Sequence, residues 1–555
     1  MRHSAMTWPG TARGAAAVAA AEPSEGTGVA RGVVGPIPGS DGAPYGEGIG
    51  KPREEQGRCY PAGGAVANQY ARAEAGPLRR KALESVAHVS SLPSTLSLLE
   101  GQDRGRLSFM EGQLRDVLRQ KIADALAFEP PTLTRRDARV PPLRGKAHAV
   151  IGMRRAGKTW FLHQCLADRL AAGTPRDALV YLNFEDERLA GLDAPRLGWF
   201  LEEYYLRCPQ YRDRRQVTLF LDEIQTVPGW ETFVRRLLDT EKVEVFVSGS
   251  SARMLSREIA SALRGRATET VVFPFSFRES LRHHGIEAPP HPRSVPKALR
   301  SRVEAAFRDY LVGGGFPEAQ GLAARDRIGL LQGYVDACVF RDVVERHGVS
   351  NVVALRRLVR QLLASPAGRF SVSKMYADFQ TQGLAVAKDS LHEMLGHLED
   401  AFLVRVTPLA AASERRRQVN PRKVYPVDPG LIAAFDRSGR ANLGHALETA
   451  VRIELERRGC EIGYVLSPGG FEVDFLATDW EGKRTLIQVA ADLSEPATRE
   501  REVRALADAL PSHRGAAGLI LTLGDADIGL VRAQAPARVS VQPAWEWMIA
   551  ETGDR

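Results

Sequence analysis

The sequence predicts an α/β fold built on a parallel β-sheet, and three observations predict it. Short apolar runs alternate with helix-like stretches between residues 147 and 273. A glycine-rich octapeptide, residues 152–159, follows the first apolar run and precedes a helix-like stretch. A third apolar run ends in two consecutive carboxylates, Asp222 and Glu223. Alternation of this kind is typical of parallel strands joined by crossover helices. The predicted strands are 147–151, 179–184, 217–221, 243–247 and 270–273.

The octapeptide matches the phosphate-binding pattern G-x-x-x-x-G-K-[ST]. Its residues are Gly152, Met153, Arg154, Arg155, Ala156, Gly157, Lys158 and Thr159. Between a strand and a helix N-terminus, the backbone N–H groups of such a loop point at a bound anion, and the helix dipole favours negative charge. We expect Lys158 to reach the β- and γ-phosphates and Thr159 to bind Mg²⁺ through its hydroxyl. The sequence therefore predicts a site for ATP and Mg²⁺.

The carboxylate pair supplies the second half of this prediction. We expect Asp222 to hold Mg²⁺ through its water shell and to complete the nucleotide site. Glu223 is expected to orient and deprotonate the attacking water. An exposed acidic pair at a strand end is the alternative, and the phosphate-binding pattern upstream favours the catalytic interpretation.

Two further groups are candidates for the chemistry. Hydroxyls of the run 248–251, Ser250 above all, are placed to reach a γ-phosphate or the attacking water, although serine also caps helices. Arg264 or Arg266 is a candidate to stabilise the charge of the transition state, and Arg266 is the one we favour. A surface role for either arginine is the alternative.

Composition is that of an ordinary globular chain of several domains. The 555 residues are 44% hydrophobic and 26% charged, with a formal net charge of +8. This basic excess permits nucleic-acid binding without establishing it. The five cysteines are scattered, without the spacing of a disulfide framework or a zinc site. No apolar run approaches the roughly 18 residues of a membrane helix. We therefore expect a cytoplasmic protein with no membrane partner.

Four domains are predicted along the chain. Residues 1–109 are rich in glycine, alanine and proline and are expected to form a disordered extension. Met110, which opens an amphipathic run, is a candidate start of translation. Residues 110–290 form the predicted ATPase domain, 291–435 a helical and winged-helix region, and 436–555 a further α/β domain.

The helical region carries basic residues in a pattern compatible with DNA. Three amphipathic helices, 352–363, 371–381 and 388–401, precede two short strands, 403–406 and 423–427. The basic positions are Arg356, Arg360, Lys388, Arg415, Arg416 and Arg417. Such residues would contact phosphates and position the chain without reading sequence. Packing against a protein neighbour is the alternative.

Several of these motifs together resemble one family. The stretches are 152–159, 221–231, 247–252, 263–266, 274–279 and 310–318. They resemble the prokaryotic ATPases that combine an AAA-type domain with a C-terminal PD-(D/E)XK nuclease-like domain of unknown function. The resemblance covers about residues 110–550 and implies a nuclease-like fold for 436–555.

The resemblance also implies which residues of that domain would bind metal, and the sequence departs from it. Asp474 stands at the expected acid of the second core strand, and Glu448 is a candidate extra ligand. Gln488 replaces the carboxylate expected on the third strand, and Ala490 replaces its lysine. An amide binds Mg²⁺ less strongly, and the missing lysine removes charge compensation. We therefore expect a nuclease-shaped domain without cleavage; a purely structural domain with a buried Asp474 is the alternative.

The function expected from these patterns is Mg²⁺-dependent ATP hydrolysis coupled to the winged-helix and nuclease-like regions. Two alternatives stay open at this stage: an ATP-dependent DNA-processing nuclease, and a nucleotide switch that does not hydrolyse ATP and recruits a protein partner. Candidate partners besides ATP are DNA, another protein and a second copy of the chain.

Overall fold

The structure is a computed structural model. It describes residues 95–249, 263, 265–289, 294–411, 413, 415, 417, 421–436, 442–526 and 528–550, with side chains from residue 109 onward. All of these residues belong to one compact unit, residues 93–555. Ser250, Arg264 and Arg416 lie outside the described residues.

Five parallel strands form the first sheet, in the spatial order β2-β3-β4-β1-β5. Their bounds are β1 Ala147–Ile151, β2 Leu179–Asn183, β3 Val217–Asp222, β4 Val243–Gly249 and β5 Ala267–Val271. The α/β class with a parallel sheet is thereby confirmed. The fifth strand begins three residues before the predicted 270–273. The central strands are apolar throughout because both faces of the sheet are covered, as is usual for parallel sheets.

Helices cover this sheet and extend the chain N-terminally. They are α1 Thr95–Ala127, α2 Lys158–Ala171, α3 Leu197–Arg207, α4 Trp230–Thr240 and α5 Phe277–His283. Leu118 and Ile122 of α1 are buried in the core of the sheet. Because α1 begins at Thr95, residues 95–109 of the predicted disordered extension are helical, which corrects that part of the prediction.

The middle of the chain is helical, as expected from its periodicity. Its helices are α6 Lys297–Gly313, α7 Ala324–Ala337, α8 Val352–Ala364, α9 Val372–Thr381, α10 Lys388–Asp400 and α11 Gly430–Phe435. A π-helix, Cys338–Glu345, continues α7. A three-stranded antiparallel sheet in the order β6-β8-β7 accompanies them, with bounds β6 Arg369–Phe370, β7 Val404–Thr407 and β8 Arg422–Pro426.

The C-terminal part is a second α/β unit around a five-stranded sheet in the order β13-β12-β11-β10-β9. Its strands are β9 Glu461–Leu466, β10 Glu472–Thr478, β11 Arg484–Ala490, β12 Ala517–Thr522 and β13 Val539–Pro543. Its helices are α12 Leu443–Arg457, α13 Pro496–Ala509, α14 Ile528–Gln534 and α15 Ala544–Ile549. The first three strands pair antiparallel and the last three parallel.

The three-stranded sheet lies against this C-terminal sheet. The Ala410 N–H donates to the Tyr464 carbonyl at 2.7 Å, and the Tyr464 N–H donates to the Pro408 carbonyl at 3.0 Å. The chain that leaves β7 therefore pairs with the edge of β9. Across the described ranges, no helix is long and apolar enough to cross a membrane.

Candidate nucleotide site

The phosphate loop, residues 152–159, connects β1 to the first turn of α2 and depends on two glycines. Gly152 has φ 149°, and a Cβ there would lie 2.2 Å from the Val272 carbonyl oxygen. Gly157 has φ 99°, a left-handed conformation that only glycine adopts at little cost, directly before Lys158 begins α2. The loop therefore bends where the pattern requires glycine and presents a helix N-terminus to its ligand.

Lys158 lies inside the loop. Its side chain is only 5% exposed, and Nζ donates to the carbonyl oxygens of Gly152 at 3.2 Å and Met153 at 3.3 Å. Nζ is also 3.9 Å from Glu223 Oε1. These neighbours hold the ammonium at the loop and next to the predicted catalytic carboxylate.

Asp222, at the end of β3, is fully buried and receives three hydroxyl groups. Thr159 Oγ1 and Tyr181 OH each donate to Oδ2 at 2.8 Å, and Ser248 Oγ donates to Oδ1. Carboxylate and hydroxyl oxygens are the hard donors that Mg²⁺ prefers. The Thr159–Asp222 pair therefore fits the metal that the sequence predicts.

Glu223 follows Asp222 in a strained conformation. Its φ is 53°, which is uncommon for a residue with a side chain, and such strained residues are enriched at functional sites. Its N–H donates to Ser248 Oγ at 3.0 Å, and Gln225 Nε2 donates to its carboxylate. Burial raises the pKa of Glu223 while the Lys158 ammonium opposes this shift. The carboxylate lies 3.9 Å from Lys158 Nζ, and a raised pKa suits the general base that the sequence predicts.

Two arginines of the loop contact the helical region. Arg154 Nε lies 2.9 Å from Asp342 Oδ2, in the π-helix, and Arg154 Nη1 lies 3.5 Å from Glu185. Arg155, with φ 65°, lies 3.1 Å from Glu318. Asp342 is 2% exposed, so the Arg154 contact is shielded from solvent, whereas the Arg155 pair is open to it.

Sequence reasoning missed Tyr181 and Arg136, and it included Ser248 only as a candidate contact to the γ-phosphate or the attacking water. Tyr181 and Ser248 hold Asp222, as described above. Arg136 is buried beneath the loop, where its Nη1 donates to the Ala156 carbonyl at 2.9 Å and its Nε lies 3.2 Å from Glu279. Arg136 follows no motif and is separated by 20 positions from the carbonyl it binds, so no local pattern indicates it.

Arg266 lies away from the phosphate loop. Its carbonyl accepts the N–H of Ala147, the first residue of β1, so it stands at the edge of the sheet opposite the phosphate loop. Its guanidinium pairs with Asp239, and both side chains are nearly half exposed. Within one chain, the structure therefore contradicts the prediction that Arg266 reaches the nucleotide. The physical reason is that β5 runs parallel to β1 and Arg266 precedes it.

The residues predicted for the C-terminal domain are only partly brought together. Glu448 Oε1 and Asp474 Oδ1 both contact one lysine, Lys423. Gln488 Nε2 donates to Glu502 at 2.5 Å, and Ala490 is buried.

The basic residues of the helical region are largely at the surface. Arg356, Arg360, Lys388 and Arg415 are exposed. Arg417 donates to the Ala411 carbonyl at 2.7 Å and lies 3.7 Å from Glu461.

A family model matches the part of the chain that forms the first sheet. Residues 144–281 match the family model of an AAA domain, and residues 304–442 match a domain of unknown function, DUF8612. Uncharacterized protein MJ1544 of Methanocaldococcus jannaschii is 29% identical over 424 residues, which cover 75% of this chain and 90% of that protein. An uncharacterized protein of Haemophilus influenzae is 28% identical over 350 residues, or 62% of this chain and 82% of that one.

Solved structures give only distant likenesses. The Walker-type ATPase PABY2304 of Pyrococcus abyssi aligns with a TM-score of 0.35 at 16% identity, over 58% of this chain and 95% of that one. The ORC1 protein of Aeropyrum pernix, solved in complex with DNA, aligns with a TM-score of 0.24 at 17% identity, over 59% and 91%. The family match and the loop geometry together identify an AAA-type P-loop domain in this chain.

Proposed function

We propose that the protein is a Mg²⁺-dependent ATPase whose nucleotide state acts on the helical region. One observation carries the proposal: Lys158, the Thr159–Asp222 pair and Glu223 lie together where β1 and β3 end. The carboxyl ends of parallel strands are where such folds bind ligands. A phosphate cradle, a site for a hard cation and a buried base are the parts that phosphoryl transfer to water needs.

ATP binding uses charges that the loop already holds. The triphosphate offers Lys158 Nζ stronger acceptors than the two loop carbonyls it contacts here, and the N–H groups at the start of α2 bind the same anion. Thr159 Oγ1 and Asp222 are the residues that would hold Mg²⁺. When bound, Mg²⁺ neutralises phosphate charge.

Hydrolysis depends on Glu223. A water oxygen bonds to the γ-phosphorus, the bond from that phosphorus to the bridging oxygen of ADP breaks, and the water's proton goes to the Glu223 carboxylate. A buried glutamate with a raised pKa is a better proton acceptor than an exposed one. Ser248, bonded to both Asp222 and the Glu223 N–H, fixes the relative position of the two carboxylates. Ser250, outside the described residues, stays a candidate contact to the γ-phosphate.

The helical region is the proposed receiver of this signal. Arg154 belongs to the phosphate loop and its carboxylate partner Asp342 belongs to the π-helix, so a change in the loop changes a buried contact in the next region. π-helical turns are frequent at functional sites. A nucleotide switch that does not hydrolyse ATP would use the same contact. The presence of Glu223 favours the ATPase over this switch, because a switch does not need a general base.

The C-terminal domain is proposed to be nuclease-like without cleavage. The order α12, β9, β10, β11, α13, β12 supports the resemblance, and Gln488 and Ala490 argue against catalysis. DNA contact through a winged-helix arrangement of α8–α10 with β7 and β8 is a second proposal, supported by the exposed basic residues. Because ATP is the substrate, we place the protein in the cytoplasm.

The first test is Lys158→Ala, followed by nucleotide binding and steady-state phosphate release with and without DNA. Removing the one ammonium inside the loop should lower turnover by about 100-fold or more and abolish tight binding. Lys242→Ala, at an exposed lysine before β4, is the matched control and should behave as the parent. Parent-like hydrolysis by Lys158→Ala would show that the phosphate-loop assignment is wrong.

A further inference from the structure

Three carboxylates of the C-terminal domain surround one point. Glu448 projects from α12, and Glu472 and Asp474 stand two residues apart on β10. The pairing of β10 with β9 shifts between Val473 and Leu476, and both acids nevertheless contact the same ammonium. This is the cluster in which the family resemblance places a divalent cation.

A lysine ammonium fills that point. Lys423, on β8 of the three-stranded sheet, places Nζ 2.8 Å from Glu448 Oε1, 2.8 Å from Glu472 Oε1 and 3.0 Å from Asp474 Oδ1. Its side chain is 2% exposed. An ammonium has three N–H donors, and each of the three finds a carboxylate. The cation therefore reaches the cluster from the neighbouring region of the chain.

Each of the three carboxylates also accepts a further hydrogen bond. Tyr425 OH donates to Glu448 at 2.8 Å, the Val489 N–H donates to Asp474 Oδ2 at 2.9 Å, and Arg369 Nε donates to Glu472 Oε2 at 2.5 Å. Buried ions are stable when such additional hydrogen bonds accompany the ion pair. Each carboxylate of the cluster therefore has a second donor besides Lys423.

The pKa values of the cluster reflect strong interactions between its charged groups. Burial by itself would lower the pKa of Lys423, and the carboxylates of Asp474 and Glu448 more than offset it, so that its pKa lies well above the ordinary value. Burial, together with the neighbouring Asp474, raises the pKa of Glu448 to about 7. Lys423 is therefore charged throughout the physiological range.

A divalent cation does not fit this arrangement. The space between the three carboxylates is taken by Nζ, and the amide of Gln488 is turned to Glu502. In the described part of the chain, no group of three or more His, Cys, Asp or Glu side chains is arranged to hold a metal ion. The residues present thus disagree with the metal that the resemblance implies.

We propose that Lys423 is the resident cation of the C-terminal carboxylate cluster, where it excludes a divalent metal and clamps the three-stranded sheet onto the C-terminal domain. The clamp has a second point of attachment in the Arg369–Glu472 pair, which joins β6 to β10. This proposal is independent of ATP hydrolysis, because none of its residues contacts the phosphate loop. It gives the nuclease-like fold a structural role in holding the helical region.

The test measures thermal unfolding of the full-length, nucleotide-free protein. Lys423→Met leaves three carboxylates without their cation, and we expect the melting temperature to fall by roughly 5 °C or more. Lys423→Met/Asp474→Asn removes one buried charge and keeps an acceptor for the Val489 N–H, so it should recover part of that loss. Lys483→Met, at an exposed lysine of the same domain, is the matched control and should change the melting temperature little.

A metal titration completes the test. If the cluster binds no divalent cation, Mn²⁺ or Ca²⁺ should have the same effect on the melting temperature of the parent and of Asp474→Asn. A metal-induced rise in the parent that Asp474→Asn abolishes would overturn the proposal, because the cluster would then be a metal site. So would a Lys423→Met protein as stable as the parent, or one that Asp474→Asn fails to rescue.

Discussion

Glu223 combines an unusual backbone conformation with a buried side chain. The left-handed φ of 53° costs stability, and the N–H bond to Ser248 holds the residue in that conformation. Asp222 and Glu223, adjacent in sequence, consequently serve different partners: Asp222 binds three hydroxyls, and Glu223 lies near Lys158. The unusual conformation of Glu223 therefore gives two adjacent carboxylates different surroundings, as the proposed roles of metal ligand and base require.

Glu223→Gln tests the base. The amide keeps the shape and can still accept from Gln225, but it cannot take a proton. We expect ATP to bind with nearly the parental affinity and the turnover to fall by about 100-fold or more. Nucleotide binding by fluorescence and single-turnover hydrolysis measure the two separately. Retained turnover would move the base to another carboxylate, such as Glu185 or Asp186 after β2.

The Arg154–Asp342 contact tests the proposed coupling. Asp342→Asn removes the charge that a loop arginine meets inside the helical region. ATP should alter hydrogen exchange of residues 338–345 in the parent, and this response should be lost or much reduced in the variant. Glu318→Gln is the control, since the exposed Arg155–Glu318 pair is expected to contribute little. An unchanged response in Asp342→Asn would contradict the coupling.

How far the site could be predicted depends on whether its residues are local in sequence. The phosphate loop and the pair Asp222–Glu223 each form a contiguous motif, because backbone geometry fixes the spacing of their groups. Tyr181, Ser248 and Arg136 reach the same site from other elements, and only the packed sheet brings them there. Lys423 shows still more clearly that residues distant in sequence are not predicted, since its partners lie 25 to 51 positions away.

At the scale of elements, strands with strong apolar runs were placed well from sequence, and short or polar ones were not. β1 coincides with its prediction, whereas β5 begins earlier than predicted because Ala267 is followed by three polar residues, 268–270, that carry no apolar signal. The two-residue β6 carries no signal of its own and exists through pairing with β8. The π-helix was also beyond prediction, because its register departs from the period that the sequence pattern reports.

The three-stranded sheet bears on the DNA proposal. Lys423, on the central strand β8, contacts carboxylates of the C-terminal domain, and Arg415, in the connection between β7 and β8, is exposed. Arg415→Glu/Arg417→Glu should weaken binding to duplex DNA of any sequence, and parental binding should fall steeply with salt. Arg325→Glu, an exposed arginine at the start of α7, is the control. No binding by the parent at low salt would leave this element as a protein contact.

At the scale of the whole molecule, the chain is a succession of regions tied by ion pairs between non-adjacent elements. The phosphate loop reaches the helical region through Arg154 and Asp342, and the helical region reaches the C-terminal domain through Lys423. Removing one partner of a buried pair is costly because it leaves the other charge uncompensated. Arg154 belongs to the phosphate-loop motif, but Asp342 and Lys423 belong to no motif, so the sequence alone did not indicate these contacts.

The position of Arg266 leads to a prediction about assembly. A five-residue strand spans about 16 Å, so Arg266 at the amino end of the sheet cannot touch phosphates bound at the carboxyl end of β1. If it stabilises the transition state, a second copy of the chain must supply it. Arg266→Ala and Lys158→Ala should then each be inactive alone, while a mixture regains activity, because Lys158→Ala subunits donate Arg266 to intact phosphate loops. The rate per subunit of the parent should also rise with protein concentration. Parental activity in Arg266→Ala would assign this residue to its surface pair with Asp239 instead.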